Sequence, residues 1–131
     1  MRKTTALLLA LALILSIAGC SSDTMRLNVG KASRLELISG VTGRTVELDD
    51  AGSIGRISDN INSLEFARSG KLDSGSWSYA LKWFAADGSC TEKLTVIDSR
   101  TIVRSGSAYT VLSPSGGIDL DLLQGFLEAH F

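Results

Sequence analysis

Two cysteines, one histidine and 14 acidic residues are the groups in this chain with chemistry to offer. Their spacing excludes most of it. Nucleophilic catalysis by Ser or Cys needs a base within hydrogen-bond reach, and His130 stands one residue from the end of the sequence, where chains fray. Neither a G-x-S-x-G elbow nor an S-x-x-K pair occurs. One histidine cannot join so few thiols in the usual zinc ligand sets. The carboxylates Asp49-Asp50 and Asp119/Asp121 lack the spacing of a calcium loop. Asp119 and Asp121 fit better as residues that start a helix. "SGK" at 69–71 is no P-loop, because Glu65 stands where that motif has its first glycine. A glycosidase's carboxylate pair follows no fixed spacing, but a small domain with few aromatics leaves little room for a sugar cleft. The chain is therefore read as non-enzymatic, with no catalytic residue, no cofactor and no metal assigned.

Cys20 is the exception, because its context gives its thiol a task. Arg2 and Lys3 place two positive charges ahead of an uncharged apolar run from Ala6 to Leu15, the outline of a secretory signal. Ala6 to Gly19 offers fourteen residues, one of them Ser16, whereas a spanning helix needs about 20. The run reads as cleaved rather than spanning. Ile17-Ala18-Gly19-Cys20 resembles the lipobox of bacterial lipoproteins: an aliphatic residue, two small residues that admit a peptidase, and a cysteine that takes diacylglycerol through a thioether. The resemblance implies residues 1–19 as signal peptide, Cys20 as the lipid attachment site and the cell membrane, extracytoplasmic face, as the address. Ser21 rather than aspartate follows the cysteine, which in an organism with two membranes would permit sorting to the outer one. Fatty chains such as palmitate contribute roughly 0.8 kcal/mol per buried methylene, so two or more hold where one attaches only reversibly.

Without the signal, 112 residues remain, enough for one domain with one core. The signal carries two of the 13 basic residues and none of the 14 acidic ones, which leaves a formal charge of −3. Arg56, Arg68 and Lys71 are scattered, and no basic run offers phosphates a site, so nucleic acid is not an expected partner. With Cys20 lipidated, Cys90 has no disulfide partner, and a free cysteine in a strand is expected to be a small buried hydrophobe. Residues 20–33 lack a period and read as a lipidated tether, with a single domain from 34 to 131.

The elements of that domain follow from periodicity. "RLELISG" and "RTVEL" alternate around a glycine-containing turn, a β-hairpin. Ile54, Ile57, Ile61 and Leu64 then fall on one helical stripe, with Asp49 or Asp50 as its cap. "LEFAR", "WSYALKWFA", "TEKLTVID", "TIVRS" and "AYTVLS" read as strands, and Asp87-Gly88 as a hairpin turn. Pro114 ends the sheet region, and "IDLDLLQGFLEAHF" closes the chain as an amphipathic helix bearing Ile118, Leu122 and Phe126. Short turns imply antiparallel pairing. The expected class is α+β: a curved antiparallel β-sheet of about six or seven strands, with one helix after the first hairpin and one C-terminal helix packed on it.

"DNINSLEF", "WSYALKWFAADG" and "GGIDLDLL" resemble segments of small Gram-positive lipoproteins of unassigned function, which implies the same fold and a cell-surface address but no catalytic residues. Trp77, Tyr79, Leu81 and Trp83 would share one strand face. Burial under the helices is the expectation for most of it. Trp77 and Tyr79, nearest the strand end, form the possible binding surface, since Trp and Tyr dominate interface hot spots. The expected function is a membrane-anchored, non-catalytic protein- or ligand-binding module, with the membrane as partner through Cys20 and an envelope protein as the possible second. Alternatives are an inhibitor of an extracellular hydrolase and an accessory subunit of an envelope complex. "SGSWSY" resembles a loop of membrane-bound lysozyme inhibitors, although the chain lacks their internal disulfide and ends in a helix.

Overall fold

The computed structural model describes residues 24–70, 76–112 and 116–130. Residues 1–19, expected to be a signal peptide, and Cys20, Ser21, Lys71 and Pro114 lie outside the described residues. The fold is α+β: one open, curved antiparallel sheet of eight strands with two helices. The strands are β1 (Thr24–Arg26), β2 (Arg34–Ser39), β3 (Thr45–Leu48), β4 (Glu65–Gly70), β5 (Tyr79–Phe84), β6 (Cys90–Asp98), β7 (Thr101–Arg104) and β8 (Ser107–Val111). The helices are α1 (Ala51–Asn62) and α2 (Leu120–Ala129). Across the sheet the order is β1-β4-β8-β7-β6-β5-β2-β3. A meander from β5 to β8 is thus flanked by the β2–β3 hairpin on one side and the β4–β1 pair on the other.

Alternation decides which face each strand buries. Leu37, Leu81 and Leu94 stand opposite one another across β2, β5 and β6, and all are fully buried. Leu35 faces Trp83, and Val96 faces Ile102, on the same side. Ile54, Ile57 and Ile61 of α1 and Leu123 and Leu127 of α2 join these residues in one core, with Leu64 and Ile118 just outside the helices. Leu122 and Phe126 are only half-buried, so α2 presents Leu123 and Leu127 most deeply. Asp50 caps α1 by accepting a hydrogen bond from the Ser53 N–H at 2.8 Å, and Asp119 caps α2 through the Leu122 N–H at 3.1 Å. Inside the core the Trp83 indole N–H donates to Ser58 Oγ at 3.0 Å, tying α1 to β5.

The eighth strand comes from the segment read as tether. Thr24–Arg26 pairs antiparallel with β4, and Leu27 and Val29 are buried. The segment after β1 then crosses the core to β2, and the Asn62 side chain holds it by both accepting from Val29 N–H (2.8 Å) and donating to Val29 C=O (2.9 Å). The described fold therefore includes residues ahead of Arg34, from Thr24 on. A three-residue strand has no period to read, and only its partner β4 defines it.

Cys90 also departs from expectation: it is exposed. Trp83 stands opposite Glu92 while Phe84 stands opposite Cys90, so Thr91 is an extra residue in β6. Such a bulge re-aims the residues beside it. It puts Cys90 opposite Phe84, away from the core, where its Sγ donates weakly to the Glu92 carbonyl at 3.5 Å.

Candidate functional site

The end of the sheet where β2 turns into β3 and the chain enters β5 gathers the exposed apolar side chains nearest the expected surface. Trp77 precedes β5 rather than belonging to it and is 36% exposed. Beside it, Val41 at the tip of the β2–β3 turn is 87% exposed. Tyr79, Leu81 and Trp83 follow inside β5 and are buried, Tyr79 at 9% and the other two completely. Of the two residues singled out in the sequence, Trp77 thus lies on the surface, and Tyr79 lies beneath it.

The described residues of this end are tied together locally. Ser39 is buried, and its Oγ accepts from the N–H groups of Val41 (3.3 Å) and Thr42 (3.2 Å), while the Ser39 N–H donates to Arg44 C=O and its carbonyl accepts from Gly43 N–H. Gly40 donates its N–H to Ser78 C=O at 2.8 Å. A Cβ at position 40 would stand 2.0 Å from the Trp77 carbonyl oxygen and 2.8 Å from its indole ring, so only glycine lets the two segments touch. Gly40 is in effect the seat of Trp77. Ser78 locks the other flank, its N–H donating to Val96 C=O and its Oγ to Ile97 C=O, each at 2.8 Å.

Between this turn and α2 lies a cleft of about 320 Å³, with Val41, Ser78 and Tyr79 on one wall and Leu120, Gln124 and Glu128 on the other. The Tyr79 hydroxyl donates to Gln124 Oε1 at 2.8 Å, and the Gln124 amide donates to Glu128 at 3.3 Å. Burial first, then the negative charges of Asp121 and Glu128, push the Tyr79 pKa above its ordinary value. The phenol stays protonated and acts as a donor, not as a base. The cleft therefore offers the buried Tyr79 hydroxyl, further hydroxyls, an amide and a carboxylate: groups that recognise a surface by contact and hydrogen bonding.

The groups weighed for chemistry lie elsewhere. The His130 ring contacts the Phe126 carbonyl at 2.8 Å, closing the end of α2. Asp50 and Asp119 serve as caps. Among the described residues no group of three or more His, Cys, Asp or Glu side chains is placed to hold a metal ion, and no helix is long and apolar enough to cross a membrane. The sequence reading missed Ser39, Gly40 and Val41. The turn "SGVTG" was visible, but that Gly40 packs against Trp77, 37 residues on, follows only from the pairing of β2 with β5. Comparison with protein-family models, curated proteins and solved structures finds no match.

Proposed function

We propose that this chain is a lipoprotein anchored through Cys20 on the extracytoplasmic face of the cell membrane, and that its domain is a non-catalytic module that binds an envelope protein through the Trp77 end. The observation that carries the reading is the exposed indole on a rigid seat. Val41 lines the cleft and Trp77 stands on Gly40, with backbone hydrogen bonds at Ser39, Gly40 and Ser78 beside them, so little ordering of these residues opposes binding. Aromatic anchors presented this way are the typical energetic centre of an interface. The lipobox at Ile17–Cys20 supports the address.

Three experiments test it. In cells fed a labelled fatty acid, the wild-type chain is expected to incorporate label and Cys20→Ser to incorporate none; equal labelling would sink the anchor. Cross-linking in native membranes, read by mass spectrometry, is expected to enrich one envelope protein with wild type and to lose it with Trp77→Ala. Saturable turnover of a substrate by the purified chain would overturn the non-catalytic reading.

A further inference from the structure

The sheet face turned away from α1 and α2 carries a charge order that a second copy of the chain would complete. In register, Glu47 of β3 stands opposite Glu36 of β2, Glu36 opposite Lys82 of β5, and Lys82 opposite Lys93 of β6. Because the alternate residues Leu35, Leu37, Leu81 and Leu94 are buried against the helices, this row lies on the opposite face, which neither described helix covers. Across four adjacent strands it reads acid, acid, base, base. Like charges directly opposite one another destabilise a sheet, and this order contains two such pairs where an alternating order would contain none. Arg34 bridges the acidic pair, 4.0 Å from Glu36 and 3.8 Å from Glu47. Among the described residues neither Lys82 nor Lys93 makes an ion pair.

We infer that this face self-associates: two copies pack sheet against sheet about a two-fold axis parallel to the strands, midway between β2 and β5. That axis reverses the row, setting Glu36 over Lys82 and Glu47 over Lys93 of the second copy. A two-fold axis across the strands would set Glu47 over Glu47 and Lys93 over Lys93, so the charges select one arrangement. The neighbouring rows agree with it. Thr45, Ile38, Ala80 and Thr95 stand in register on the same face, and the axis sets the large Ile38 over the small Ala80 and Thr45 over Thr95. In the next row, Arg34 lies 4.3 Å from the centre of the Phe84 ring within one chain, and the axis sets Arg34 over Phe84 again between chains. Packed sheet faces stand about 10 Å apart, a gap that Glu and Lys side chains span. The contact is isologous, as two-fold dimers require. It also leaves the Trp77 ends of both copies pointing the same way.

The outer charge pair makes the test clean, because Glu47 and Lys93 are three strands apart in one chain and meet only between copies. The full chain, in a non-ionic detergent, is followed by sedimentation velocity across a concentration series. Wild type is expected to dimerise, and Glu47→Lys or Lys93→Glu alone to weaken the dimer by about tenfold or more, since each brings like charges together twice. Mixing the two variants restores opposite charges at both contacts, and heterodimers at near wild-type strength are expected. Near-UV circular dichroism of each variant confirms the fold. Wild type that stays monomeric to roughly 100 μM, variants that dimerise as wild type does, or a mixture that fails to recover would each overturn the proposal. The test does not depend on Cys20 or Trp77.

Discussion

A serine among isoleucines holds the core's one buried indole. Ser58 sits on the apolar stripe of α1, four residues after Ile54, and accepts the N–H of the fully buried Trp83. Ser58→Ala leaves that donor buried without a partner, which costs about 1–3 kcal/mol; urea unfolding should show a lower midpoint with an unchanged slope. Asp50 acts as a hydrogen-bond acceptor at the start of α1, and its charge makes that role sensitive to pH. Hydrogen bonds from Ser53, side chain first and backbone second, hold its pKa below the ordinary aspartate value. A depressed folded-state pKa contributes stability above the unfolded pKa and loses it as pH falls through the folded one, so the window lies below about pH 4. Asp50→Ala should be less stable than wild type at pH 7 and lose less on further acidification across that window, whereas Asp50→Asn should keep the cap. A difference between wild type and Asp50→Ala that is the same at pH 3 and pH 7 would count against this role. The isoleucine stripe was legible in the sequence because a helix is read from residues three and four apart, and the caps were narrowed to Asp49 or Asp50 and to Asp119 with Asp121. The exposure of Cys90 was not, because the bulge at Thr91 exists only in its pairing with β5.

The elements divide the same way. Strands β2, β5 and β6 alternate so plainly that their buried faces follow from the letters alone, and the Asp87-Gly88 turn falls where the sequence put it, with Gly88 at φ 89°. β1 and the segment behind it carried no such signal, yet burying Leu27 and Val29 contributes roughly 3–6 kcal/mol together. Typical domains have about 5–15 kcal/mol in total. A chain that starts at Arg34 should therefore lose cooperative thermal unfolding, while one that starts at Thr24 should keep it. Equal melting of the two would return residues 24–33 to a tether. At the β7–β8 turn Ser105 holds φ at 52° ahead of Gly106 at 79°, the pattern of a two-residue hairpin that favours Asn-Gly. Ser105→Asn should raise the thermal midpoint, by the equivalent of roughly 0.5 kcal/mol.

For the molecule as a whole, the fold class was readable in the sequence, whereas the surroundings of Trp77 were not. Trp77 was visible as an exposed candidate, but its seat on Gly40 and its neighbour Val41 come from segments 37 residues apart that the sheet brings together. We propose that this end, on a chain anchored through Cys20, meets an envelope protein. The most direct measurement places a photo-cross-linking residue at position 41, where 87% exposure lets it replace Val41 without disturbing the core, and illuminates cells in which the chain sits in its own membrane. A control probe at Asp87 reports from the opposite end of β5. The expected result is one envelope protein captured from position 41, not from position 87, with the adduct lost in Trp77→Ala and strongly reduced in Cys20→Ser. Equal capture from both positions, or an adduct indifferent to Trp77 and Cys20, would contradict the account.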